Sequence, residues 1–435
     1  MDLLDILDRR TAVRVPFCRC MPDVVRLIHY GYIASSPDEP RTAFSIRLLQ
    51  FHEVLWKTAV ISTSSFVQAL TSFLDTHTEV AMYARGGKYR KRNLRVPFSH
   101  SREFFSQIQV LQKQMLLDGL QLSRVEQWAS QCPRCFGPSK DEIKINPNEP
   151  NVIVALDGNF QQRHYAYASK DNPPENKYPH RFLLPSKITS VANNFEATES
   201  SAVGIDLQMT LAVKQLGKKV MIIDCLLALA GMMFPYCLPT STRLEKIAII
   251  RHLLTDFPQH KFGILYDLGC HLERHVIKRG LLDDRLPDLM FGTSVFHAYV
   301  HEWSCQVKYN PRLNKLWGLS DGEGLERLWS FLSPLISTLR VSTRLHCLMS
   351  IQSRAEYYTK ELNIKAVYWL WQRAKHTNEV ISSAREDLEC LYTTRNPYVE
   401  NLNYTSTFLE QQWLDEQSYH LDTPTTTAKQ TVELG

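Results

Sequence analysis

KFGILYD (261–267) and NVIVALD (151–157) decide how this chain is to be read. Each is a short β-branched and apolar run that stops on an aspartate. Short apolar runs without polar alternation are typical of strands covered on both faces. Between them, TRLEKIAIIRHLLTDF (242–257) sets Leu244, Ile247, Ile250 and Leu254 on one face of a helix. Strand, helix and strand in succession predict an α/β core with a mixed sheet over 151–335. Ligands and catalytic groups collect beyond the strand ends of such sheets, which is where Asp157 and Asp267 would stand.

Outward from this core the character changes. Residues 1–136 read as helical. The stretch 43–55 spaces Phe44, Leu48, Leu49, Phe51, His52 and Leu55 near the helical repeat, and 62–74 and 102–128 continue it. GPSKDEIKINPNEPN (137–151) is polar and Pro-rich, so 137–150 reads as a linker with a boundary near 150. SDGEGLERLWSFLSPLISTL (320–339) reads as a helix that Ser320 caps, with Glu323 in capping-box position. Residues 336–397 continue as helices. The polar, Thr-rich end, 398–435, is expected to be disordered.

The chain has 435 residues and 50 Lys plus Arg against 45 Asp plus Glu. So mild a basic balance permits nucleic acid without requiring it. RGGKYRKRNLR (85–95) concentrates Arg85, Lys88, Arg90, Lys91, Arg92 and Arg95 with no acid. It is either a solvated loop or a phosphate-contacting one, with Gly86 and Gly87 allowing close approach. It also has the look of a nuclear import signal. No uninterrupted apolar run is long enough for a membrane helix, since Asp224 interrupts the nearest one. The start, MDLLDILDRR, has no basic leader or apolar stretch, so no secretory signal is expected. Ten cysteines then read as free thiols or metal ligands in a reducing compartment, nucleus or cytoplasm.

Asp157, Asp267 and the helical Glu326 could converge on Mg²⁺ or Mn²⁺, which prefer hard oxygen ligands. Equally, three acids among 45 could simply cap helices and turns. His297, His301 and Cys305 recur every four residues and would share a helical face. With Cys270 they offer four ligands for tetrahedral Zn²⁺, or else they pack as core residues. Cys18-Arg-Cys20 and Cys132-Pro-Arg-Cys135 offer a second four-cysteine zinc site across a long gap.

ALDGNFQQR (155–163), GILYDLGC (263–270), FGTSVFHAYVHEWSCQVKYNPRL (291–313) and GLSDGEGLERLWS (318–330) resemble, in order, the diagnostic blocks of the Kyakuja–Dileera–Zisupton (KDZ) transposases. The stretch 17–50 resembles the segment that joins that family's cysteine cluster to its core. The resemblance implies an RNase H-like fold and a DDE-type acid triad, with Asp157 first, Asp267 second and Glu326 third. Glu323 stands close behind as third acid, one helical turn away, and Asp321 is a weaker candidate. It further implies Mg²⁺-dependent cleavage of DNA at element ends, strand transfer into target DNA, and room for a homo-oligomer. Arg163, Arg312 and Arg327 would suit phosphate contact.

The resemblance fails at IIDCLLALAGMMFPYC (222–237), which lacks the family's Thr-Gly and Cys-Arg-His, though Asp224 keeps an acid. The CxC cysteines stand near the start, where the family has a larger cluster upstream. Both departures point to a degenerate or domesticated copy. The alternative function is a catalytically inactive DNA-binding relic.

Overall fold

The computed structural model describes every residue except 17–18, 79–81, 85–90, 137–145, 158–162, 166, 170–171, 180, 191–220, 223, 229–231, 237–241, 400 and 423–435. The chain divides into two compact units, Met1–Ser123 and Arg124–Gly435. The division falls ahead of the boundary expected near 150. The reason is packing: Trp128, Cys132 and Phe136 lie in the same buried cluster as Val154, Ile250, Phe257 and Ile264.

The first unit is not purely helical. It holds strands β1 (Asp2–Leu4), β2 (Arg9–Arg10), β3 (Tyr32–Ala34) and β4 (Thr42–Ser45), in the order β2-β1-β4-β3. Three helices follow: Ile46–Ala59, Thr63–His77 and Arg95–Leu120. Ser45 and Ser62 accept the Leu48 and Ser65 backbone N–H groups at 3.1 and 3.0 Å. These bonds satisfy amides that a helix start otherwise leaves unpaired. The apolar faces close around Phe44, Leu48, Phe66, Leu74 and Phe98. His52 is sealed between the Phe66 and Phe98 rings, and burial pushes its pKa down to about 4.

The second unit is built on β5 (Val152–Leu156). Past it come β6 (Arg163–His164), β7 (Met221–Ile222), β8 (Asp224–Ala228), β9 (Met232–Tyr236), β10 (Phe262–Tyr266) and β11 (Leu289–Gly292). β11, β10 and β5 form a parallel three-stranded sheet in that order. The pairs β6–β7 and β8–β9 are antiparallel and separate, so the described strands do not join into one mixed sheet. The unit is α/β with small sheets; an RNase H-like core goes beyond what these strands establish.

The helix Thr242–Asp256 lies against this sheet, burying Ile247, Ile250 and Leu254 as expected, and Ala248, Ile249 and Leu253 besides. Phe257, Phe262 and Ile264 complete the layer. Burial on both faces accounts for the unbroken apolar runs at 152–156 and 262–266. Downstream, the helix expected from residue 319 starts only at Gly324 and runs to Leu332. Ser320 is therefore no cap. The helices Arg344–Ile364 and Ala366–Thr393 match the helical expectation. The supposedly disordered end contains one more helix, Ser406–Asp422.

Candidate functional site

Backbone pairing alone sets up the site. Leu156 pairs with Tyr266, and the next residue on each strand is Asp157 or Asp267. Leu265 pairs with Gly292, and two residues further along stand Asp267 and Ser294. Asp157, Asp267 and Ser294 thus share one level at the carboxyl ends of three parallel strands. Adjacent strands lie about 4.8 Å apart, which fixes the lateral spacing.

Each aspartate has a donor. Ser294 Oγ donates to Asp267 Oδ1 at 2.8 Å, and the Trp329 indole N–H donates to Asp157 Oδ2 at 2.6 Å. His297 Nε2 stands 3.4 Å from Asp267 Oδ2. Directly behind Asp267, the helix Gly269–Lys278 presses on β11: a Cβ at Gly269 would stand 2.2 Å from the Gly292 carbonyl oxygen. Only glycine allows that helix to start so close to the strand.

The helix Gly324–Leu332 faces Leu325, Leu328 and Leu332 into the core. That orientation leaves Glu326 and Trp329, three residues apart, on an adjoining face. The turn before it is held by Asp321, whose carboxylate accepts the Glu323 N–H at 3.0 Å and whose carbonyl accepts the Val295 N–H at 2.9 Å. Gly322 follows at φ +81°, where a Cβ would meet Ser294 Cβ and Oγ at 3.0 Å. Asp321 is thus a turn builder. Glu323 Oε1 accepts the Phe296 N–H at 3.1 Å, while Glu326 is exposed.

Asp157, Asp267, Glu323 and Glu326 line one shallow recess with Ser294, His297, Gly322 and Leu325. Partial burial, then the charges of Asp157, Glu323 and Asp267, raise the Glu326 carboxyl above its ordinary value, and His297 opposes them. Ser294 and Trp329 were not singled out from sequence. Signals existed for both: Ser294 follows a third apolar strand, and Trp329 lies one helical turn from Glu326.

Residues 238–358 match the model of the Kyakuja-Dileera-Zisupton transposase family. The chain carries a KDZ transposase domain. Residues 1–79 match the CxC1-like cysteine cluster associated with KDZ transposases, and Cys18 and Cys20 are the cysteines among them. Neither the curated proteins nor the solved structures gave a match. The KDZ match takes in Asp267, His297, Glu323 and Glu326 and starts after Asp157. These domains point to a transposase, and with it to DNA as partner. Among the described residues no helix is long and apolar enough to cross a membrane.

Beside the KDZ acids lies a Cys/His/Cys group that hints at zinc. One ligand atom each from Cys270, His301 and Cys305 lie within 4.8 Å of one another. His301 Nδ1 is 3.6 Å from Cys270 Sγ and 3.3 Å from Cys305 Sγ. A hydrogen bond from Cys305 is the main cause that pushes the Cys270 thiol down to about 5, and the Cys305 thiol moves up in return. His297 does not join this group. The helix expected through 297–305 is broken into Val295–Ala298 and Trp303–Tyr309. The break turns His297 toward Asp267 instead.

The second set, Cys18, Cys20, Cys132 and Cys135, is described only in part. Cys132 is buried and Cys135 packs against the same core, both as free thiols. Cys20 is disulfide-bonded, against the expectation of free thiols, and Cys18 lies outside the described residues.

Of the basic run, Arg85, Lys88 and Arg90 lie outside the described residues. Lys91 pairs with Asp75 at 2.7 Å, and Arg92 pairs with Asp2 and donates to Thr42. These two hold the first unit together. Arg95 is exposed at a helix start, and Arg327 is exposed beside Glu326. Arg312 is exposed and donates to the Gly318 and Leu319 carbonyls, bracing the loop before the acid turn. The side chains of Arg163 and Asp224 lie outside the described residues.

Proposed function

We propose that this chain is a DNA transposase of the KDZ type, cutting phosphodiester bonds with Asp157, Asp267 and Glu326 as its metal-holding acids. One observation carries the reading: Asp157 and Asp267 are level neighbours in the sheet, and both line one recess with Glu326.

The donor set suits Mg²⁺ or Mn²⁺. It consists of hard carboxylate oxygens, and partial burial together with the neighbouring carboxylates raises Glu326. The tight group with ligand atoms within 4.8 Å is the Cys/His/Cys one, not the acids. Bound at the acids, Mg²⁺ or Mn²⁺ ions polarise a phosphoryl oxygen and lower the pKa of water.

The chain's own residues prepare that chemistry. Trp329 and Ser294 orient Asp157 and Asp267 by donating to one oxygen of each. His297 Nε2 stands against Asp267 Oδ2 and helps to orient it. Glu323 is engaged with the Phe296 N–H, which favours Glu326 as the third acid. Strand transfer into target DNA is the second step that the resemblance implies, and DNA as substrate puts the work in the nucleus. Cys270, His301 and Cys305 would hold Zn²⁺, tying the helix after Asp267 to the bend after His297.

The test is metal-dependent nicking of DNA by purified full chain, wild type against Asp267→Asn. Mn²⁺-dependent nicking that the substitution abolishes is expected. Equal nicking by both proteins removes the reading. Salt-sensitive DNA binding without nicking by either protein leaves the inactive relic in its place.

A further inference from the structure

The helix Ala366–Thr393 carries an apolar pattern that the described residues leave largely uncovered. Val367, Leu370, Ala374, Thr377, Ile381, Ala384, Leu388 and Leu391 follow one another at alternating steps of three and four. That is the spacing of a coiled-coil seam, held long enough to be meaningful. Most of the seam is open: Val367 is 80% exposed, Leu370 51%, Ile381 41% and Leu388 41%, while Thr377 and Leu391 are half-buried. The one helix that follows in sequence does not cover it. Ser406–Asp422 packs instead against Trp303–Tyr309, where the Trp303 indole donates to Glu416 at 3.2 Å.

We infer that this seam pairs with the same helix of a second copy, antiparallel. Laid against itself in reverse, the seam matches sizes layer by layer. Val367 meets Leu391, Leu370 meets Leu388, Thr377 meets Ile381, and the small Ala374 meets the small Ala384. The flanking positions decide the direction. In the antiparallel register Arg373, which within its own chain lies 4.0 Å from Asp321 and over the Trp369 ring, faces Asp387 of the other copy on both sides, and Arg385 faces Trp371 as a cation over an aromatic ring. In a parallel pair the same positions bring Arg373 to Asn378, Val380 to Arg385 and Asp387 to Tyr392, with no ion pair. Charge therefore selects a second copy of this chain, head to tail.

The experiment is sedimentation of the full chain across the micromolar range. The wild type is expected to dimerise. Leu370→Glu with Leu388→Glu is expected to be monomeric, with circular dichroism unchanged because both side chains are exposed in the monomer. Arg373→Asp alone, or Asp387→Arg alone, sets like charges opposite each other twice and should weaken the dimer about tenfold. An equimolar mixture of the two single variants should recover wild-type affinity, because each then supplies the charge the other lost. A monomeric wild type, a Leu370→Glu/Leu388→Glu protein that still dimerises, or a mixture without recovery overturns the proposal.

Discussion

Trp329 donates its indole N–H to Asp157 Oδ2 at 2.6 Å, joining residues 172 apart in sequence. The bond couples the helix that carries Glu326 to the end of β5. Trp329→Phe keeps the ring and removes the donor. A hydrogen bond to a charged group contributes about 1.5–3 kcal/mol. Metal-dependent nicking by this variant should fall by about one order of magnitude. Nicking assays at saturating Mn²⁺ measure it, and an unchanged rate would show that Asp157 needs no orienting.

Crowded acids cost stability. Below 4.5, the ordinary value of Glu326, its carboxyl is protonated whether the chain is folded or not. Above that value the unfolded chain releases the proton first, so the folded state loses ground as pH rises. Glu326→Gln should therefore melt higher than wild type at neutral pH, and the difference should vanish as pH falls through 4.5. Thermal melts over that range decide it. A variant less stable than wild type at neutral pH would count against a raised Glu326 carboxyl.

Zinc content separates the two histidines. Cys270→Ser and His301→Ala should each lower bound zinc in the purified protein, because one of only three clustered ligands is removed. His297→Ala should leave zinc unchanged, since its imidazole faces Asp267. Elemental analysis reads both. Loss of zinc in His297→Ala would mean that the bend after residue 298 straightens on metal binding.

Gly322 and Gly318 both adopt positive φ, at +81° and +55°. An added Cβ at Gly318 meets nothing within 4 Å, whereas at Gly322 it meets Ser294 at 3.0 Å. Both alanine variants carry the backbone strain, about 1 kcal/mol. Gly322→Ala should lose more than Gly318→Ala and should also weaken nicking, because it displaces the donor to Asp267. Equal unfolding free energies in urea would contradict the contact.

The sequence made β5 and β10 legible because doubly covered parallel strands need unbroken apolar runs, and an aspartate ends each one abruptly. Register then brought Asp157 and Asp267 level, which spacing along the chain could not have told. The first unit's strands escaped notice because they are two to four residues long and Ala43–Ser45 continues smoothly into a helical repeat. His297, His301 and Cys305 misled for the opposite reason. Their four-residue spacing imitates a helix, and nothing local announces the bend at 299–302. Ser320 misled likewise: a good cap type, but Asp321 and Gly322 spend the backbone on a turn first.

The shared level of Asp157, Asp267 and Ser294 has one more consequence. Their separation is a property of peptide geometry, ruled off by the amide ladder, and no surface loop can retune it. Glu326 arrives on a different support, seated by three leucines and a turn. Divergence in this lineage can therefore slide the glutamate toward or away from the aspartates, but it can abolish the aspartate pair only by replacing a side chain or breaking the sheet.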